Sequence, residues 1–313
     1  MRAAFLRRLT AAAAADSRIV LITGDLGFGV LDEFARNLPA QFLNAGVAEQ
    51  NMTAVATGMA LEGHIVFTYS IGNFPTLRCL EQLRNDAFYH DANVKVVSVG
   101  GGFSYGQLGM SHHATEDLSI LRALPGVTIC APASAYETDH LVSALIARPG
   151  PAYLRLERSA PGFSDDPSVD CVLGKARKLR EGSMCTLIAT GGVVAEVIAA
   201  AELLHAQGVD CRVLSMHTLK PLDTDAIIKA AAETGGIVTI EENSTLGGLG
   251  GAVAEVCLES SHPPRMFRRI GLPDRFTSIV GDQDYLRKAL GLDRHGIADT
   301  VLGLAGGSGG SQK

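Results

Sequence analysis

Apolar residues recur along the chain in short continuous runs that alternate with longer segments of helical spacing. In the first half, the runs predict strands at residues 18–23, 41–44, 65–69, 94–99, 127–130 and 152–156. The segments between them predict helices at 3–15, 32–37, 50–62, 76–89, 118–124 and 135–147. Strands that alternate with helices form a mostly parallel sheet covered on both faces. The first half therefore predicts an α/β domain.

The pattern is interrupted at residues 161–180, a polar stretch with two Pro, three Asp and four Lys or Arg. A second α/β series follows, with strands predicted at 185–190, 211–215 and 237–241 and helices at 193–207, 224–234 and 250–259. We therefore expect two α/β domains, at 1–165 and 181–303, joined by a linker at 166–180. The Gly/Ser-rich residues 304–313 predict a disordered tail.

Composition narrows the classes of function. The 313 residues are 47% hydrophobic and 19% charged, which is enough to bury two cores. A net charge of −6 argues against a nucleic-acid or anionic-membrane partner. No run of 18 apolar residues occurs, so the sequence predicts no membrane span. Six scattered cysteines without CxxC spacing predict reduced thiols in a cytoplasm rather than a disulfide framework or a metal site.

Two glycines after a predicted strand, Gly191 and Gly192, raise the possibility of a dinucleotide site. The GxGxxG fingerprint is absent, and no acidic residue ends the next strand. A free-standing nucleotide-binding module is therefore disfavoured.

A different motif carries the chemistry. Residues 46–52 read Gly-Val-Ala-Glu-Gln-Asn-Met, which places Glu49 where a loop enters an apolar helix. A lone glutamate there is usually a first-turn carboxylate that suits the helix N-terminus. Here it belongs to an ordered series with Gly24-Asp25-Leu26, Tyr69-Ser70, Gly-Met-Ser-His-His at 109–113 and Leu-Arg-Ala-Leu-Pro-Gly at 121–126. This series resembles the C-terminal half of a transketolase, over nearly the whole chain.

The resemblance implies a pyrimidine-binding domain followed by a transketolase C-terminal domain, with thiamine diphosphate as cofactor. Glu49 then falls on the glutamate that hydrogen-bonds the pyrimidine N1′ and promotes the imino tautomer needed for removal of the thiazolium proton. Such a carboxyl group is expected to lie against apolar neighbours. Asp25 is expected to order the cofactor loop or the subunit contact.

The resemblance also implies an aromatic wall for the pyrimidine ring. Phe67, Tyr69 and Phe74 lie at and just beyond the end of the predicted strand. Phe67 and Tyr69 alternate and share one face, so at least one of them is expected in the core. The choice between Tyr69 and Phe74 as the stacking ring stays open.

Three further residues fall on substrate-contacting positions of the family. His112 matches the histidine of its Gly-x-Thr-His motif, where an imidazole can donate to a sugar hydroxyl or move protons. Arg158 matches a substrate-phosphate arginine, with Arg155 as the alternative. Arg2 matches a second phosphate arginine by its spacing before Asp25.

The chain departs from the family at other substrate positions. Glycine, at 100 or 101, stands where a second active-site histidine is expected, and Gln107 or Leu108 replaces an acidic residue. The ordinary pentose phosphate substrates are therefore in doubt.

The Gly-Asp-Gly…Asn motif that holds Mg²⁺ and the diphosphate is absent. By resemblance, a separate N-terminal subunit supplies both, as in split transketolases. The sequence thus predicts a transferase of aldehyde or ketone residues that moves a two-carbon ketol unit between sugars or sugar phosphates. It is expected to be a homodimer alone and a hetero-tetramer with its partner. Alternatives are a subunit like 1-deoxyxylulose-5-phosphate synthase, a 2-oxo acid dehydrogenase beta chain, or a non-catalytic partner.

Overall fold

Twelve strands and eleven α-helices alternate along the chain. The computed structural model describes residues 1–158, 163 and 165–307. Its strands are β1 (Ile19–Thr23), β2 (Phe42–Asn44), β3 (Ile65–Ile71), β4 (Val94–Val99), β5 (Thr128–Cys130), β6 (Ala152–Leu156), β7 (Arg177–Arg180), β8 (Cys185–Thr190), β9 (Cys211–Ser215), β10 (Thr218–Lys220), β11 (Ile237–Ser244) and β12 (Phe267–Leu272).

The helices cover both sheets. They are α1 (Arg2–Ala15), α2 (Asp32–Asn37), α3 (Glu49–Leu61), α4 (Leu80–Gln82), α5 (Asp117–Arg122), α6 (Ala135–Ala147), α7 (Val194–His205), α8 (Thr224–Glu233), α9 (Leu249–Glu259), α10 (Gln283–Ala289) and α11 (Arg294–Gly307). Among the residues described, no helix is both long and apolar enough to cross a membrane.

The first sheet has seven strands in the order β10-β5-β6-β4-β3-β1-β2. Six of them are parallel, and only the edge strand β10 runs antiparallel, beside β5. In the register, Thr23 of β1 pairs with both Asn44 and Tyr69. The carboxyl ends of β1, β2 and β3 therefore meet at one edge of the sheet, which is where open α/β sheets bind ligands.

The second sheet has the order β12-β11-β8-β9-β7, with β7 antiparallel to β9 and the other strands parallel. The predicted fold class, two α/β domains with mostly parallel sheets, is confirmed. The expected linker needs revision, because its last four residues form β7 (Arg177–Arg180). This strand carries no apolar run, and its Arg177 is buried by ion pairs with Glu137 and Asp165.

The two domains share packing. Strand β10 comes from the second half of the chain but belongs to the first sheet. One hydrophobic cluster contains Val20 and Ile129 of the first half together with Leu214 and Ile227 of the second. The domains are therefore joined through a common core, which burial of apolar surface stabilises.

The predicted helix 76–89 is the clearest local difference. It is divided into a 3₁₀ turn at Leu77–Cys79, the short α4, and a π-helical segment at Leu83–Phe88. Its last residue by prediction, Tyr89, is exposed. At the C-terminus, α11 takes in residues 304–307 of the predicted tail, and 308–313 lie outside the described residues.

Candidate active site

The glycine turn after β1 is tied to the end of β2 by one side chain. Asn44 Oδ1 accepts from the backbone N–H groups of Asp25 and Gly46, both at 3.0 Å, and Asn44 Nδ2 donates to Asp25 Oδ1 at 2.9 Å. These bonds hold Asp25 at φ +56°, a left-handed conformation that is uncommon for a residue other than glycine. Asp25 thus orders the loop beside Glu49. Asn44 was not singled out from the sequence, because a lone Asn ending a short strand carries no signature.

Glu49 is the first residue of α3, and only 2% of it is exposed. Its Oε2 accepts a hydrogen bond at 2.7 Å from Nη1 of Arg78, a residue that sequence reasoning missed. The arginine side chain remains 45% exposed. Glu49 is therefore a buried carboxylate whose one charged partner reaches it from the solvent side.

Phe74 completes the cluster. The guanidinium carbon of Arg78 lies 4.3 Å from the centroid of the Phe74 ring, within the range of a cation–π contact. The edge of Phe74 meets His112, with ring centroids 5.2 Å apart and planes at 69°. The structure thus brings together Glu49, Phe74 and His112, three of the residues predicted for the site.

Phe67 and Tyr69 lie elsewhere. Both pack against Phe5 of α1, with ring centroids 6.1 and 6.0 Å apart, and they are 0% and 2% exposed. Burial raises the pKa of Tyr69 to about 12, so its hydroxyl stays protonated. The expectation that these two rings form the cofactor wall is therefore revised, because neither offers a face outside the core.

His112 is half-buried on a 3₁₀ turn, Met110–His112, in the long loop after β4. Burial, and then the neighbouring His113, lower the pKa of His112, which favours the neutral imidazole. His113 is buried, 3% exposed, against Phe103, as expected of a structural residue. The loop also approaches Gly72, whose φ of +52° and 3.0 Å clearance to the His112 carbonyl leave no room for a side chain.

The predicted phosphate arginines lie around a second feature, a cleft of about 1420 Å³ between the two domains. Arg2 and Arg158 both line it, together with Tyr105. The Arg158 guanidinium carbon is 5.4 Å from the Tyr105 ring centroid, and that ring is 6.4 Å from His112. Tyr105 therefore stands between the cleft and the Glu49 cluster.

The alternative phosphate residue, Arg155, is excluded from either site by its burial. It is 2% exposed, pairs with Asp117 at 3.2 Å, and donates to the carbonyl oxygens of Ala114 and Glu242. It also explains one departure, since a Cβ at Gly101 would lie 2.4 Å from Arg155 Nε. At Gly100, with φ +101°, a Cβ would lie 2.3 Å from the Tyr105 ring. No side chain fits at either glycine.

In the part of the chain that the structure describes, no group of three His, Cys, Asp or Glu could hold a metal ion. A cation and its ligands are thus not provided by these residues.

Fold and site define a two-domain α/β protein with a candidate ligand site at the carboxyl edge of its first sheet. Residues 1–162 match the model of the transketolase pyrimidine binding domain, and residues 174–297 match that of the transketolase C-terminal domain. The chain belongs to the transketolase family.

Its relatives include single subunits and longer enzymes. One of the two subunits of an apulose-4-phosphate transketolase from Phocaeicola vulgatus is 40% identical over 303 residues, 96% of each chain. "6-deoxy-6-sulfo-D-fructose transketolase subunit SqwH" of Clostridium sp. is 39% identical over 88% of this chain and 85% of its own length. 1-Deoxy-D-xylulose-5-phosphate synthase of Chlorobium luteolum is 39% identical over 91% of this chain but only 45% of its own.

A solved structure described as "Split gene transketolase, inactive beta4 tetramer" superposes with a TM-score of 0.86 at 33% identity, covering 96% of both chains. A transketolase from Campylobacter jejuni, at 19% identity and a TM-score of 0.82, shares the fold over 46% of its length.

Proposed function

We propose that this chain is the C-terminal subunit of a two-component, thiamine diphosphate-dependent enzyme of the transketolase type. It transfers a two-carbon ketol unit between sugar or sugar phosphate substrates. The observation that carries this proposal is the cluster at the open sheet edge, where the buried Glu49 carboxylate lies beside an accessible aromatic ring, Phe74, and a half-buried histidine, His112.

The cluster fits the pyrimidine half of the cofactor. A planar group that donates a hydrogen bond already lies between Glu49 and Phe74, namely the Arg78 guanidinium. A flat, nitrogen-rich ring has the same requirements, which are a carboxylate partner in its plane and an aromatic face against it. Glu49 would hold N1′ of the pyrimidine and Phe74 would stack on the ring. The Asp25–Asn44 pair fixes the loop that borders them.

When bound, the cofactor supplies the carbanion chemistry that breaks and forms the carbon–carbon bond, and the protein supplies orientation and electrostatics. His112 is placed to donate to, or accept from, a substrate hydroxyl, because its lowered pKa favours the neutral form. Arg2 and Arg158 face the cleft beyond Tyr105 and are proposed to bind the anionic end of the substrate.

The chain is proposed to need a separate diphosphate-binding subunit that holds the diphosphate and Mg²⁺, in a hetero-tetramer. Two relatives are named as transketolase subunits, and a solved relative is described as an inactive tetramer of beta chains. Those descriptions support inactivity of this chain alone. They also give a tetramer, besides the homodimer expected from sequence, as a candidate state of the isolated chain.

The relatives' names suggest the substrate class. One is named for apulose 4-phosphate, a phosphorylated sugar, and the other for 6-deoxy-6-sulfo-D-fructose, a sulfonated one. Both sugars carry a strong anion, which matches two arginines at one cleft. The glycines at 100 and 101 remove a side chain that would contact substrate hydroxyls, so an unusual ketose is favoured over the ordinary pentose phosphates.

The test is reconstitution. The chain is co-expressed with a candidate diphosphate-binding subunit, and the pair is assayed with thiamine diphosphate and Mg²⁺ against ketose phosphates, ketose sulfonates and 2-oxo acids. Ketol transfer from an anionic ketose is expected. Turnover of pyruvate with an aldose phosphate would favour a deoxyxylulose phosphate synthase, and turnover of a 2-oxo acid alone would favour a dehydrogenase beta chain. A complex that forms and turns over none of them would indicate a non-catalytic partner.

A further inference from the structure

Arg78 has no part in the proposed function, yet it occupies the centre of the candidate site. It projects from the 3₁₀ turn Leu77–Cys79, which precedes the irregular helix rather than belonging to it. Its guanidinium makes two contacts at once, the 2.7 Å bond to Glu49 Oε2 and the 4.3 Å approach to the Phe74 ring.

These two contacts are the ones that a pyrimidine ring needs. The guanidinium is planar, positively charged and rich in N–H donors, so it can stack on an aromatic face and donate in its plane to a carboxylate. A protonated or imino aminopyrimidine has the same shape and polarity. One face of Phe74 and one oxygen of Glu49 cannot serve both groups together.

We propose that Arg78 is an internal occupant of the pyrimidine slot, which must leave Glu49 and Phe74 before the cofactor's ring can enter. This rests on the proposed function, because it takes Glu49 and Phe74 to be the pyrimidine site. Arg78 then sets the threshold for cofactor binding and keeps the empty slot ordered until the complex assembles.

The environment of the pair allows this exchange. Glu49 is buried to 2% exposure and needs a partner for its charge, which Arg78 provides in the isolated chain. The arginine itself is 45% exposed, so its side chain can turn into solvent without a further desolvation cost. A fully enclosed arginine could not act in this way.

Direct binding of the isolated aminopyrimidine half of thiamine tests the idea without turnover. Ligand titrations followed by NMR are run on the wild-type chain, Arg78→Ala, Arg78→Lys and the control Arg84→Ala. Arg84 lies six residues further on, is exposed and bonds to Asn85 rather than to the cluster. Thermal unfolding of each variant checks that the fold is retained.

Arg78→Ala is expected to bind the aminopyrimidine roughly ten-fold more tightly than wild type, equivalent to about 1.4 kcal/mol. Arg78→Lys is expected to fall between them, because an ammonium keeps the charge but loses the planar stack. Arg84→Ala is expected to match wild type. If Arg78→Ala fails to fold, the comparison of Arg78→Lys with wild type decides.

Other results would overturn the exchange and assign Arg78 differently. Weaker binding by Arg78→Ala would make it a positioning group that stays with the ligand, and unchanged binding would make it a structural ion pair. Glu49→Ala separates these failures from failure of the proposed site. If Glu49→Ala loses binding while Arg78→Ala changes nothing, the pyrimidine site stands and the exchange does not. If Glu49→Ala binds as well as wild type, the site itself is wrong.

Discussion

Two carboxylate–guanidinium pairs in this protein have similar chemistry and opposite surroundings. Glu242 pairs with Arg287 beneath the cleft between the domains, where their side chains are 2% and 10% exposed. Glu49 pairs with Arg78 at the edge of the first sheet, where the carboxylate is 2% exposed but the arginine is 45% exposed. The first pair is closed on all sides, whereas the second is open to solvent on the arginine's side.

The closed pair has further partners within the chain. Glu242 accepts from the backbone N–H of Phe103 and from Gln283, and Gln283 also donates to Glu157. Burial raises the pKa of Glu242, and the charge of Arg287 opposes that rise. This network fixes the start of the loop that carries His112 against the second domain.

The open pair is bordered instead by exposed apolar side chains. Phe28 is 76% exposed in the glycine turn, Val47 is 74% exposed two residues before Glu49, and Leu77 is 40% exposed beside Arg78. An apolar rim around a buried charge is typical of a surface that another molecule covers. The comparison indicates that charge pairs can complete the fold at one place and await a ligand or subunit at another.

The largest effect is expected from the open pair during catalysis. In the reconstituted complex, Glu49→Gln removes the carboxylate that would assist proton transfer, so kcat is expected to fall by about 10²–10⁴-fold. Steady-state kinetics measure it, and circular dichroism confirms that the fold persists. Turnover within a few-fold of wild type would reduce Glu49 to a carboxylate at the start of a helix.

The closed pair is expected to matter for stability. Arg287→Ala leaves Glu242 buried without its cation and is expected to lower the free energy of unfolding by about 3–5 kcal/mol. The control is Arg294→Ala, which breaks a surface pair with Glu196 worth less than about 1 kcal/mol. Urea unfolding compares the two variants, and equal losses would show that the interior network does not stabilise the domain interface.

A pH dependence is expected from Glu241, beside the closed pair. Burial raises the pKa of Glu241 from 4.5 to about 7, although the N–H groups of Leu249 and Gly250 donate to it. The folded chain then keeps a proton that the unfolded chain loses, so the free energy of unfolding falls as pH rises from 4.5 to 7, by about 3 kcal/mol at most.

Urea unfolding from pH 4.5 to 8 measures this slope. Glu241→Gln cannot titrate and is expected to give a flatter profile, whereas Glu255→Gln, in an exposed ion pair with Arg122, is expected to keep most of the wild-type slope. Parallel profiles for wild type and Glu241→Gln would assign the titration to other groups.

The smallest effect is expected at the cleft. In the complex, Arg158→Ala is expected to raise KM for a phosphorylated or sulfonated ketose by the loss of a charge-assisted contact, about 1.5–3 kcal/mol. KM for the uncharged analogue is expected to change little. Arg36→Ala, an exposed arginine of α2, is the matched control. Equal changes for charged and uncharged substrates would give Arg158 a structural role.

Sequence pattern predicted most of the regular structure, because buried strands and amphipathic helices leave periodic apolar runs. The bounds of Val94–Val99, Ala135–Ala147 and Cys185–Thr190 agree with the predictions. The edge strands β7, β10 and β12 were missed, because edge strands tolerate charged and polar residues that hide their period.

The site was predictable where a motif exists and not where tertiary contacts decide. Glu49, His112 and Asp25 follow from motifs, and the structure places Glu49 and His112 around one ring, Phe74. Arg78 could not be found from sequence, because it lies 29 residues from Glu49 and meets it only when the irregular helix packs beside α3. The choice of Phe74 over Tyr69 likewise depends on which ring the core encloses.

The central claim, that the open edge is half of a cofactor site, is tested most directly by calorimetry. Thiamine diphosphate with Mg²⁺ is titrated into the chain alone, into the diphosphate-binding subunit alone, and into their stoichiometric mixture. Tight binding is expected in the mixture only, and Glu49→Gln in the mixture is expected to weaken it. Micromolar or tighter binding by the chain alone would contradict the shared site.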